Sequence, residues 1–291
     1  MTALHHSQTT GMAYRDEGQG PPILLIHGWG VSGDLFEQQI TGLSSHFRVV
    51  VPDLPGHASS PALAADAPFA QLADSIARLI HELHLPRLCV AGWSMGAMVA
   101  WDLLLRYPLI GIAALVSVDM VPSLLNRPGW QHGLRDGDDA RLFQRNIQRM
   151  RSDWVAYTKL FVPRIFSARA GPATAQQVER TSQVALANDP ESMADSWMRM
   201  APLDFRLHLK DIAIPTLVMA GAHSQLYTVA AAEWVCQQLP NATLEVFHGS
   251  GHAPHIEESE KFNRILAGFA AQCLRTEASP NRSAQAGTEP S

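Results

Sequence analysis

The sequence predicts an α/β fold built on a mostly parallel sheet, with a helical segment inserted late in the chain. Three observations predict it. Short apolar runs alternate with runs of helical period from residue 12 to about 119, as in strand–helix–strand units with right-handed crossovers. Some runs, such as Pro22-Ile23-Leu24-Leu25-Ile26, are apolar throughout, as expected of strands buried on both faces. From Val121 to about Asp204 the strand rhythm stops, and only helical patterns rich in Arg, Trp and Met remain.

Taken in order, residues 12–17 read as a first strand that turns at Gly18-Gln19-Gly20. The run 22–26 is the second strand and ends in His27-Gly28-Trp29-Gly30. A short helix over 36–43 leads to a strand over 47–51, closed by Pro52-Asp53-Leu54-Pro55-Gly56-His57. Residues 69–85 are helical, because Leu72, Ile76, Leu79, Ile80 and Leu83 share one face. The strand 87–91 and the helix 97–105 flank Gly92-Trp93-Ser94-Met95-Gly96. The strand 112–118 closes on Asp119-Met120. After the insertion come a strand at 215–220, a helix around 230–238 and a strand at 243–247. The loop His248-Gly249-Ser250-Gly251-His252 and a helix over 260–273 follow. The division is therefore a core of 12–120 and 205–274, a helical cap of 121–204, and flexible tails at 1–11 and 275–291.

Composition limits the function classes. The chain has 291 residues, 46% of them hydrophobic, and a net charge of −5. A nucleic-acid binder is not indicated. There is no signal peptide pattern at the N-terminus and no apolar run long enough to cross a membrane, so a cytoplasmic protein is expected. Cys89, Cys236 and Cys273 lack metal-ligand spacing and read as idle thiols. No metal or organic cofactor is implied.

The chemistry gathers where parallel strands end, because ligand sites in such sheets form at their C-terminal edge. Ser94 sits on a strand-to-helix turn flanked by glycines, a nucleophile elbow. A serine hydroxyl needs a base to take its proton. His252, in a Gly-rich loop after the last strand, is the candidate, and His255 is its nearest rival. An oxyanion requires two preorganised donors. The backbone N–H groups of Met95 and Trp29 are the candidates, and the Trp29 ring would also line the acyl pocket.

Together these stretches resemble the α/β-hydrolase superfamily over nearly the whole span from Met12 to Cys273. The resemblance implies an eight-stranded, mostly parallel sheet, a helical cap after strand six, and a triad in the order Ser, acid, His. The His-Gly-Trp-Gly and Gly-Trp-Ser-Met-Gly pair is similar to that of the pimeloyl-carrier-protein methyl ester esterases, through short motifs that other carboxylesterases share. Members that act on alkyl halides or epoxides place Asp at the elbow. Ser94 therefore favours acyl transfer.

The acid departs from the pattern. Its usual position, after strand seven, holds Ser224 in Gly221-Ala222-His223-Ser224. Asp119, at the end of strand six, is the expected substitute. Glu257, Glu258 or an acid-free Ser–His dyad are the alternatives, and Asp53 is expected to tie down its own loop. In the cap, Trp130, Trp154, Trp197, Met193, Met198 and Met200 are candidates to line an acyl pocket, although each on its own reads as core. Arg141, Arg145 and Arg149 form one helix stripe, with Arg127, Arg135 and Arg151 nearby. Such a stripe suits an acidic acyl carrier protein, while Asp136, Asp138 and Asp139 suit a solvated mixed-charge face. The function expected is hydrolysis of small or medium acyl esters through an acyl-enzyme on Ser94. A thioesterase or carrier-protein methyl esterase, a lyase, cofactor-free dioxygenase or perhydrolase, and a non-catalytic binding module are the rivals.

Overall fold

The computed structural model describes residues 3–135, 140–168 and 172–275. Eight strands form one sheet: β1 (His5–His6), β2 (Ala13–Glu17), β3 (Pro22–Ile26), β4 (Arg48–Pro52), β5 (Leu88–Trp93), β6 (Ile112–Val118), β7 (Thr216–Gly221) and β8 (Ala242–Phe247). Their order is β1-β2-β4-β3-β5-β6-β7-β8. Among the described residues of this sheet, only the β1–β2 and β2–β4 pairs are antiparallel. The helices are α1 (Glu37–Leu43), α2 (Ala70–Glu82), α3 (Met95–Arg106), α4 (Ala140–Ser152), α5 (Trp154–Phe161), α6 (Pro172–Leu186), α7 (Pro190–Met200), α8 (Val229–Gln238), α9 (Pro254–Glu257) and α10 (Ser259–Leu274).

Alternation of side chains along each strand splits the core into two layers. Leu24, Val90, Leu115 and Val218 pack with α2, α3 and α8. Ile23, Leu25, Cys89 and Val116 pack on the other face, with α1 and α10. The helical period read from the sequence for α2 is observed: Leu72, Ile76, Leu79 and Ile80 are buried.

The N-terminal residues differ from the flexible tail expected of 1–11. His5 and His6 pair with Tyr14 and Ala13. The hydroxyls of Ser7 and Thr9 donate to the Glu82 carboxylate on α2 at 2.8 and 2.7 Å. Polar side chains tie this stretch down without an apolar anchor, which hydropathy does not register. The tail from 276 lies outside the described residues.

Helices α4 to α7 all fall between β6 and β7. Asp153 and Asp189 cap α5 and α7 by accepting the N–H groups of Ala156 and Ser192. At the base of this segment Ser123 and Asp204 form an antiparallel bridge, and Phe205 N donates to Pro122 O at 2.8 Å. Among the described residues no helix is long and apolar enough to cross a membrane.

Candidate active site

Register builds the site. Trp93 on β5 lies opposite Val118 on β6, and Val118 lies opposite Met219 on β7. The next residues, Ser94 and Asp119, therefore leave the sheet side by side. Ser94 N donates to Val118 O at 2.9 Å, and Asp119 N donates to Met219 O at 2.7 Å. Both take positive φ, +54° and +44°. Such backbone costs on the order of 1–3 kcal/mol per residue and clusters at working sites.

The elbow glycines are required by contact. A Cβ at Gly92 would lie 2.3 Å from Gly96 O, and one at Gly96 would lie 2.1 Å from Ile26 O. The turn fits only because both lack side chains. A Cβ at Gly28 would come within 3.1 Å of the Ser94 Cβ, so the loop after β3 runs beside the serine. That loop is pinned by Asp53, whose Oδ1 accepts Gly33 N at 2.8 Å, and by His27, whose Nε2 accepts Leu54 N at 2.8 Å. Burial raises the Asp53 carboxyl and lowers His27 to about 4, so His27 is a neutral strut at pH 7.

His252 is 2% exposed and Asp119 4%. His252 Nδ1 lies 2.6 Å from Asp119 Oδ2. A carboxylate can only accept, so Nδ1 is the donor, and in the neutral imidazole Nε2 is then the acceptor. Ser224, in the position where an acid is usual, donates its hydroxyl to the same Oδ2 at 2.7 Å. Gly221 N donates to Oδ1 at 3.2 Å. Ser224 thus supports the carboxylate that stands one strand away. The His252 backbone is fixed by Trp93 Nε1, which donates to its carbonyl at 2.7 Å.

Ser94 and His252 open onto one cavity of about 160 Å³. Gly28, Trp29 and Trp93 form its floor side, and Leu226 and Tyr227 come from the loop after β7. Tyr157, Phe161, Ile165, Trp197 and Met200 come from the segment between β6 and β7. Arg164 and Asn146 add the polar part of the wall. The Trp29 ring meets Trp154, Tyr157, Phe161 and Trp197 edge-on.

Of the aromatic and Met candidates, Trp29, Trp197 and Met200 line this cavity. Trp130, Trp154, Met193 and Met198 do not. The Trp130 indole donates to Ser123 O and packs on Trp234. The Trp154 indole donates to Ala185 O behind Trp29. Met193 is fully buried, its carbonyl taken by Trp29 Nε1, and Met198 packs against the core. Helical periodicity marks such residues as inward-facing without saying what they face. The residues it missed, Tyr157, Phe161, Leu226 and Tyr227, carry no motif.

The alternatives to Asp119 are occupied elsewhere. Glu257 accepts the N–H groups of Ser167 and Gly251, and Glu258 accepts those of Gly249 and the Ser250 hydroxyl. His255 is fully buried among Phe36, Trp93 and Phe262, and burial lowers it to about 3. Among the described residues no group of His, Cys, Asp and Glu is placed to hold a metal. In the arginine stripe, Arg145 and Arg149 are exposed. Arg127 reaches Ser123 and Asp204, Arg135 donates to Tyr227 O, and Arg151 pairs with Glu191 and Asp195. The Arg141 side chain and Asp136, Asp138 and Asp139 lie outside the described residues.

Comparison with known proteins agrees with this architecture. A family model described as alpha/beta hydrolase fold matches residues 21–259. A pimeloyl-acyl-carrier-protein methyl ester esterase from Vibrio cholerae is 30% identical over 270 residues, covering 91% of this chain and 100% of that protein. One from Aromatoleum aromaticum is 31% identical over 255 residues, covering 82% of this chain and 94% of that protein. Among solved structures, an esterase from Exiguobacterium antarcticum superposes with a TM-score of 0.83 at 24% identity, covering 93% of this chain and 100% of that one. By strand order and family match together, the chain belongs to the α/β-hydrolase fold family.

Proposed function

We propose that the protein is a serine hydrolase of carboxylic esters. The observation that carries this is the 2.6 Å bond between Asp119 Oδ2 and His252 Nδ1, behind an imidazole that shares one largely apolar cavity with the strained Ser94. In this reading His252 Nε2 takes the Ser94 proton as Oγ attacks the ester carbonyl. The N–H groups of Met95 and Trp29 hold the oxyanion. Asp119 orients the imidazole and stabilises its protonated form. His252 then gives the proton to the departing alcohol, and the same base activates water to release the acid.

The relatives named pimeloyl-acyl-carrier-protein methyl ester esterase favour a finer reading. The substrate is then a medium-length acyl ester, and a carrier protein presents it. Aromatic and aliphatic walls suit a methylene chain, and the exposed Arg145 and Arg149 on α4, with Arg141, suit an acidic carrier surface. A fluorophosphonate should label Ser94 stoichiometrically in the wild type and fail in His252→Ala. A chain-length series of esters and thioesters, compared as kcat/KM, then sets acyl and leaving group. Replacing the three stripe arginines with Glu should slow turnover of carrier-bound ester only. An equal fall on free esters would remove the carrier from the reading.

A further inference from the structure

The loop that carries His252 is held by a second acid outside the Asp119 contact. His252 N donates to Ile165 O at 2.8 Å. Gly251 lies so close to this strap that a Cβ on it would sit 2.5 Å from Phe166 C and from Ser167 N. The strap is fixed in turn by Gln225 Nε2, which donates to Phe166 O at 2.8 Å. Glu257 joins the two segments. Its Oε1 accepts Ser167 N at 2.8 Å and its Oε2 accepts Gly251 N at 2.7 Å.

We propose that Glu257 is a positioning residue, a carboxylate clamp that locks the His252 loop to the strap 165–167 and so sets the reach of the imidazole. This rests on the reading in which His252 is the general base. The ionised carboxylate offers a fully charged acceptor oxygen to each N–H at once. A protonated carboxyl leaves one N–H with a weaker hydroxyl acceptor, and an amide turns its NH2 against one of the two donors.

The ionisation of Glu257 is finely poised. Burial raises its carboxyl to about 7, against the lowering effect of its backbone bonds, and Glu258 on the adjoining turn raises it further. Other charged and titratable groups lie on the adjoining segments. His252 and His255 precede it in sequence, with His255 held neutral by burial. Arg164 directly precedes the strap, and Arg180 on α6 is paired with Glu37. Lys261 on α10 is paired with Glu245 at 2.7 Å. Activity therefore gains from the loss of two protons, one from the imidazolium form of the base and one from the clamp.

The test compares Glu257→Gln with the wild type, as kcat/KM on a short p-nitrophenyl ester from pH 5.5 to 8.5. The expected deficit is about tenfold at pH 8.5, where the wild-type clamp is ionised, and falls toward parity at pH 5.5, where both proteins carry a neutral side chain. It should sit in kcat, with KM unchanged. A deficit of the same factor at every pH, or none, overturns the clamp. Should Glu257→Gln fail to fold, the wild-type profile decides. A fall steeper than one proton below pH 7 supports the clamp, and a one-proton fall overturns it. Failure of the underlying reading shows separately, as a wild type that fluorophosphonate does not label at Ser94.

Discussion

The ends of β6 and β7 both point at His252, and they are not alike. Asp119 ends β6 in a left-handed backbone conformation with a buried carboxylate. Ser224, in the loop after β7, brings a hydroxyl that bonds to that carboxylate. One strand end provides the charge and the other a donor that supports it. The proposed base needs a carboxylate within reach of Nδ1, and neighbouring parallel strands deliver side chains to nearly the same point. The acid can therefore change strands while the geometry at the imidazole is kept.

The largest effect should come from Asp119→Asn, which keeps the shape but presents the wrong partner to Nδ1. A loss of about 10⁴ in kcat with an unchanged melting curve is expected. Turnover near the wild type would remove Asp119 from the mechanism. The double variant Asp119→Asn with Ser224→Asp moves the charge back to β7. It should recover on the order of 10² of that loss, and no recovery would mean that the two strand ends are not interchangeable. Ser224→Ala alone removes one donor from the buried carboxylate. That costs about 1 kcal/mol, or roughly fivefold in kcat, because the carboxylate loses a bond that holds it in place against Nδ1.

The smallest effect concerns stability. His27, His57 and His255 are buried with lowered values of about 4, 3 and 3. Between these values and the ordinary 6.5 the unfolded chain binds more protons than the folded one. Stability is thus full above pH 6.5 and is lost as pH falls below it. Glu257 has the opposite sign, since its raised carboxyl favours the folded state below its ordinary value and that gain is lost as pH rises through 7. Urea melts from pH 5 to 8 should show Glu257→Gln gaining more stability over that range than the wild type. Identical slopes would contradict the raised carboxyl.

How much of this was legible depended on what each residue touches. The elbow could be read because Gly92 and Gly96 press backbone against backbone, where no side chain fits. The placement of Asp119 beside His252 could be read because parallel register carries consecutive strand ends to one edge. The cavity wall could not. Trp154 and Trp197 carry the same helical signal, yet only Trp197 reaches the cavity, and the difference is set by how α5 and α7 pack around Trp29. The roles of Glu257 and Glu258 were equally hidden, because their partners are backbone N–H groups that leave no mark on composition. The N-terminal stretch was missed for a related reason: hydroxyls and one carboxylate on α2 hold it.

The bridge between Ser123 and Asp204 has a consequence for how such a protein can change. It brings the two roots of the helical segment together, so what is added or removed between them does not pull β6 away from β7. On the proposed reading, substrate range can then drift through insertion, deletion or wholesale exchange of residues 124–203, while Ser94, Asp119 and His252 keep their places on the other side of the clasp. The molecule is in that sense a fixed reaction edge with a replaceable roof, and a roof transplanted from a relative at this joint is the graft that the architecture is shaped to accept.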